Sequence, residues 1–136
     1  MITVEEKVRF VETDMMGVVH HANYFRWFEM GRVEYLRQAD VYLLDLMADG
    51  IVFPITHVDC KYKASANFDD IILIETSLKE LSLVKMIFTY KVFRRDDKVL
   101  LAIGSTQSVF TDSKGKIIRL PSKYYEKLQM RFERTQ

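Results

Sequence analysis

Residues 11–36 read VETDMMGVVHHANYFRWFEMGRVEYL, and the fold turns on this stretch. An isolated acid, Asp14, stands in a loop punctuated by Gly17 and followed by His20 and His21. From about His21 onward, apolar residues recur at helical spacing: Tyr24, Phe25, Phe28, Gly31, Tyr35 and Leu36. The spacing predicts a helix over 21–38 with a wide apolar face. Tyr24, Phe28 and Tyr35 form one ridge and Phe25 and Leu36 the next, with Gly31 leaving room for a close approach. Such a helix belongs in the interior. A carboxylate a few residues before the free N–H groups of a helix start pairs a base with a place for an oxyanion.

Upstream, residues 3–12 read as a strand, with Val4, Val8 and Phe10 in alternation and Val11 breaking it. Downstream, Val41 to Met47 suggests a second short helix closed by Asp49 and Gly50. The period then changes. Ile51 to Ala66, Ile71 to Leu81, Val84 to Arg95 and Val99 to Thr111 are rich in β-branched and aromatic residues and separated by polar breaks. Their short connections imply antiparallel hairpins, since a parallel crossover needs a dozen or more residues. Asp112 to Lys116 reads as a turn, Ile117 to Leu120 as strand-like, and Ser122 as the cap of a helix over 123–133. One antiparallel sheet wrapped around one long central helix is the economical way to bury the aromatic face, an α+β arrangement within a single domain, 1–136.

Composition narrows the function. Twenty Lys and Arg against 19 Asp and Glu leave a net charge of +1, which offers no electrostatic case for nucleic-acid binding or a polybasic membrane anchor. The lone Cys60 excludes an internal disulfide framework. The N-terminus, MITVEEKVRF, carries charges where a signal peptide needs an apolar core, and no segment reaches the ~18 apolar residues of a membrane span, so a cytoplasmic location without an integral membrane segment is expected.

The segment Thr13 to Tyr24, TDMMGVVHHANY, resembles the signature of the 4-hydroxybenzoyl-CoA thioesterase-like family of hotdog-fold acyl-CoA thioesterases. Its continuation through Phe28, Glu29 and Arg32 to Leu36 is similar to the helix of the Tol-Pal-associated bacterial branch, and Val58-Asp59 to Tyr62 and Phe68-Asp69-Asp70 resemble the family's second strand and following hairpin. The resemblance implies a sheet wrapped around a central helix, an acyl-CoA or acyl carrier protein thioester as substrate, and no cofactor. It also implies a homodimer with active sites at the subunit interface, assembling to a homotetramer. One departure stands out: many members carry a Tyr four residues before the catalytic Asp, and here that position is Phe10.

On this reading Asp14 is a general base on water or a nucleophile forming a transient anhydride. Its other reading is an Asx turn or helix cap. The N–H groups around His21 and Ala22, at the positive end of the helix dipole, would hold the oxyanion. His21 orients the acyl group or the water, or else packs and caps, while Gly17, Val18, Val19, Ala22, Asn23 and Tyr24 are the motif positions expected to bind substrate. Glu29 and Arg32 are spaced to pair with each other on the helix. His20, His21, His57, Asp59 and Cys60 have no metal-ligand spacing, and neither a serine-nucleophile elbow nor a phosphate loop is present. Lys61, Lys63, Lys85 and Arg94 are the candidate contacts for the phosphates of coenzyme A. Two rival functions fit the same motif: a hotdog hydroxyacyl-thioester dehydratase, and a non-catalytic acyl-thioester binding or scaffold protein.

Overall fold

The structure, a computed structural model, describes residues 1–134. The elements run β1 (Ile2–Lys7), α1 (Asn23–Gln38), α2 (Leu43–Ala48), β2 (Ile55–Tyr62), β3 (Ile71–Leu81), β4 (Lys85–Arg94), β5 (Leu100–Val109) and α3 (Ser122–Arg134). The five strands form one antiparallel sheet in the order β1-β3-β4-β5-β2. Alternation along β3 and β4 buries Ile72, Ile74, Leu78, Met86, Phe88 and Tyr90 against α1.

Helix α1 is the core of the molecule, as its aromatic spacing implies. Phe28 stacks on Tyr90 with ring centroids 4.2 Å apart, and Tyr35 meets Phe88 edge-on at 5.3 Å. Gly31 is the close approach expected of it, because a Cβ there would run into the side chain of Thr76 on β3. The second ridge differs from expectation: Phe25 is 39% exposed, and Trp27, at 1%, is buried in its place. Nor do Glu29 and Arg32 pair. Arg32 turns inward, is buried, and donates from Nη1 to the Tyr90 hydroxyl (3.2 Å), which shares a hydrogen with Thr106 Oγ1 at 2.6 Å.

Three further differences bear on the site. The first strand stops at Lys7, and residues Phe10–Glu12 form a single 3-10 turn. The physical reason is local: Glu12 Oε1 accepts the Arg9 N–H (2.8 Å) and the Phe10 carbonyl accepts the Thr13 N–H (3.0 Å), which takes these groups away from a ladder. Second, β2 and β3 do not form a hairpin. β2 lies at the sheet edge against β5, and the connection between β2 and β3 crosses the end of the sheet. It finds its partners in the loop before α1, where Val19 N–H donates to the Ala66 carbonyl (2.8 Å) and Val18 bridges Asn67. Third, Ile117 to Leu120 contributes only an isolated bridge, Ile117 to Thr111, rather than a strand.

The outer flank is closed by α3, whose Tyr124 and Leu128 are buried and whose Lys123 pairs with Asp49 at 2.8 Å. The whole length of β2 stays open, with Ile55, Val58 and Tyr62 all at least 40% exposed.

Candidate active site

The loop between the 3-10 turn and α1 is a small hairpin. Thr13 bridges Val19, the Asp14 N–H donates to the Val18 carbonyl (2.8 Å), and the Gly17 N–H donates back to the Asp14 carbonyl (3.1 Å). Gly17 has φ +81°, the left-handed conformation that closes such a turn and that side chains with a Cβ resist. Asp14 begins this turn, and its Oδ1 accepts the Met16 N–H at 2.8 Å. An Asx turn therefore exists and occupies one carboxylate oxygen, leaving the other without a hydrogen-bond partner among the described residues.

The chain then enters α1 through His20, His21 and Ala22. The Asn23 N–H donates to the His20 carbonyl (3.0 Å) and the Tyr24 N–H to the His21 carbonyl (3.2 Å), while the Ala22 N–H makes a longer bond to His20 Nδ1 (3.3 Å). The His21 N–H has no partner among the described residues. Of the two donors expected at the helix start, one is free and the other is weakly held by a neighbouring ring. The two imidazoles stack at 4.3 Å.

Asp14, His21 and Tyr24 come together around one cavity of about 200 Å³, which Val19, Tyr62 and Ser65 also line. The remaining motif residues do other work. Gly17 shapes the turn, Val18 bridges Asn67, and Asn23 ties the loop by donating from Nδ2 to the carbonyls of Glu12 (2.9 Å) and His20 (3.3 Å). Ala22 is the N-cap residue just before α1.

Tyr62 closes the stretch that resembles the family's second strand, but nothing in the sequence marks it as a site residue, because a tyrosine alternating with Cys60 and Val58 is an ordinary strand residue. In the fold its hydroxyl donates to the His21 carbonyl (3.0 Å), and its ring sits edge-on to both Tyr24 (5.0 Å) and His21 (6.1 Å). Burial pushes the Tyr24 phenol up to about 12, with Cys60 adding to it, and desolvation together with Cys60 does the same to Tyr62. Both phenols are neutral near pH 7.

Two larger hollows lie elsewhere. One of about 580 Å³ runs between β1 and the charged outer face of α1, lined by Arg26, Glu29 and Arg37, and another of about 530 Å³ lies on the outer sheet face by Asp59, Lys61 and Lys91. Neither joins a carboxylate to a free helix-start N–H. His57 also faces that outer side, bonded to Asp59 at 3.2 Å, and among the described residues no three His, Cys, Asp or Glu side chains are grouped as a metal site requires. Of the four candidate phosphate contacts, Arg94 is held by Asp70, Asp97 and the Ser65 carbonyl, and Lys85 pairs with Glu80.

A helix-filled antiparallel sheet with an acid-bearing loop at the helix start is a hotdog-fold arrangement. The chain belongs to the Thioesterase-like superfamily, whose profile matches residues 8–128. It is 34% identical over 90% of its length to a protein of Aquifex aeolicus provisionally named an esterase, covering 94% of that protein. It is 30% identical to the acyl-CoA thioester hydrolase YbgC of Escherichia coli, over 69% of this chain and 70% of that one. Among solved structures, the DHNA-CoA thioesterase of Staphylococcus aureus superposes with a TM-score of 0.89 at 28% identity, covering 98% of this chain and 89% of the other. Among the described residues, no helix is long and apolar enough to cross a membrane.

Proposed function

We propose that this protein hydrolyses the thioester of an acyl-CoA to a free acid and coenzyme A, working as one domain in the cytoplasm. The observation that carries the reading is the shared setting of two groups: the Asp14 carboxylate with one oxygen uncommitted, and the unpaired His21 N–H a few residues on, at the positive end of α1. Asp14 takes a proton from water as the water attacks the thioester carbon. The carbonyl oxygen, now bearing the charge, accepts the His21 N–H, with the helix dipole favouring the anion. The tetrahedral intermediate collapses, the C–S bond breaks, and the thiolate leaves with its electron pair. Direct attack by Asp14 would give an anhydride that water then opens, with the same products. The His21 ring, in the cavity wall, orients the acyl group or the water.

The family membership and the names of the relatives support this reading, as does the exposed edge strand. β2 presents unpaired backbone groups beside the apolar, exposed Val58, and Phe10, Met15, Met16 and Phe68 stand exposed around the catalytic loop. A second copy laid against β2 would cover them, giving a homodimer with the cavity at its interface, two of which assemble as a homotetramer. For coenzyme A, Lys63 is the better of the remaining cations, since it adjoins Ala64 in the cavity wall and is not in an ion pair among the described residues.

The test is thiol release from short, medium, long and aromatic acyl-CoAs by the native protein and by Asp14→Asn. Hydrolysis by the native protein and a drop of at least a hundredfold, on the order expected for loss of a general base, support the reading. Near-native turnover by Asp14→Asn removes Asp14 from the chemistry. Tight acyl-CoA binding without thiol release assigns the binding-protein function instead, and conversion of an added 3-hydroxyacyl-CoA to the enoyl-CoA and water, without free thiol, assigns dehydration.

A further inference from the structure

Glu12 is the one acidic side chain among the described residues that is fully buried, at 2% exposure. Its carboxylate is fully used. Oε1 accepts the Arg9 N–H (2.8 Å) with the Arg9 Nε 3.6 Å away, and Oε2 accepts the indole N–H of Trp27 (3.2 Å). Its main-chain carbonyl is used as well, accepting the His20 N–H (2.9 Å) and Asn23 Nδ2 (2.9 Å). One residue thus ties together the turn after β1, the far end of the catalytic loop, and the first turns of α1.

We propose that Glu12 is a positioning residue for thioester hydrolysis, holding Asp14 and the His21 N–H at a fixed separation by clamping the loop at both ends. The inference rests on the acyl-CoA reading above. Asp14 lies two residues beyond Glu12, and Trp27 lies four residues inside a helix whose start carries the oxyanion donor. Asn23 also spans the loop, but only through the main-chain carbonyls of Glu12 and His20, and the Thr13 hydroxyl turns back to the Phe10 carbonyl (2.7 Å). Among the described residues, the Glu12 side chain alone joins the turn after β1 to the indole of α1. A buried carboxylate is tolerated because every partner is a donor, and this makes the site selective for an acceptor-only group. A glutamine has nearly the same shape but offers one oxygen and one NH₂. It sets a donor against either the Arg9 N–H or the Trp27 indole, and one anchor of the clamp is lost.

Glu12→Gln, Glu12→Ala, Trp27→Phe and the double variant Glu12→Gln/Trp27→Phe test the proposal. Misplacing reacting groups by about an ångström costs on the order of a hundredfold in rate, so Glu12→Gln is expected to lose roughly tenfold to a hundredfold in kcat, with KM within about twofold. Glu12→Ala loses at least as much. Where that variant does not fold, the nearly isosteric Gln carries the test. The two positions are coupled, so the double variant is expected to be no slower than Glu12→Gln alone. Trp27 is the single tryptophan, and its emission is expected to shift in Glu12→Gln. Amide hydrogen exchange over residues 13–22 rises in Glu12→Gln while β3 and β4 stay protected, a local loosening that general destabilisation would not produce. Native kcat with native exchange over 13–22 in Glu12→Gln overturns the proposal, as does a fall in kcat accompanied by uniform exchange across the sheet. A native protein that releases no thiol from any acyl-CoA removes the thioesterase reading, and the exchange comparison then still decides whether Glu12 clamps the loop.

Discussion

The hydroxyl of Tyr62, on the edge strand, donates at 3.0 Å to the carbonyl of His21, the residue whose own N–H has no partner among the described residues. A strand residue thereby fixes a peptide plane at the foot of α1, 41 positions away in the chain. Tyr62→Phe keeps the ring contacts and deletes this bond. A hydrogen bond of this kind is worth about 0.5–1.5 kcal/mol, so we expect kcat to fall by roughly twofold to tenfold. Because the side chain is partly exposed, stability should fall by less than about 1 kcal/mol. Steady-state kinetics beside urea melts separate the two effects.

Gly31→Ala should be among the most damaging small changes in the chain. The added methyl meets Thr76 at the point where α1 touches β3, and overpacking of this sort costs about 1–3 kcal/mol. Thr76 Oγ1 is buried without a hydrogen-bond partner, so trimming Thr76→Ala removes the obstruction without breaking a bond. We expect Gly31→Ala/Thr76→Ala to recover most of the loss, read as non-additivity in denaturant midpoints.

Arg32 places a guanidinium in the core with a hydroxyl, not a carboxylate, as its partner, and its Nε is unpaired. Burying a charge without a counterion is costly, and an apolar side chain of similar length removes that cost. Arg32→Met is expected to leave stability unchanged or raise it by up to about 2 kcal/mol. The Tyr90 hydroxyl retains Thr106. Thermal melts of the two proteins at one concentration provide the comparison.

Alkaline stability follows from the phenols. Tyr24 ionises at about 12 in the fold, raised from 10.0 chiefly by burial. A raised folded value means the contribution is fully present below the unfolded value of about 10 and is lost as pH climbs toward 12. We expect stability to decline between pH 10 and 12, and the decline to be shallower in Tyr24→Phe. Urea unfolding followed across that interval would show it, and identical slopes in the two proteins would contradict it.

Much of this architecture was legible because period and burial agree. The β-branched run 71–81 is β3 to the residue, its burial alternating from Ile71 to Leu78, and the aromatic repeat in α1 fixed the helix that fills the sheet. What failed were readings that needed partners. Phe25 and Trp27 are both apolar and close in sequence, but Trp27 shares the face of Tyr24, Phe28, Gly31 and Tyr35, and only the fold shows that its indole N–H is met there by the Glu12 carboxylate. The 3-10 turn at residues 10–12 comes from the same side chain. The loop with Asp14 and Gly17 could be recognised as a motif, yet Tyr62 could not, since its role exists only after β2 has reached the sheet edge.

The crossing of residues 63–70 over the loop before α1 governs when the cavity comes into being during folding. Its walls come from residues 14–24 and 62–65, and the bonds from Val19 to Ala66 and from Tyr62 to His21 close chain segments more than 40 residues long. Closing such segments costs entropy before it returns any contact energy. The helix and the β3-β4 hairpin can form from local contacts, whereas the cavity must wait for β2 to dock. A chain arrested before that step would hold most of its secondary structure and have no competent site, so refolding followed by activity should lag refolding followed by helix signal.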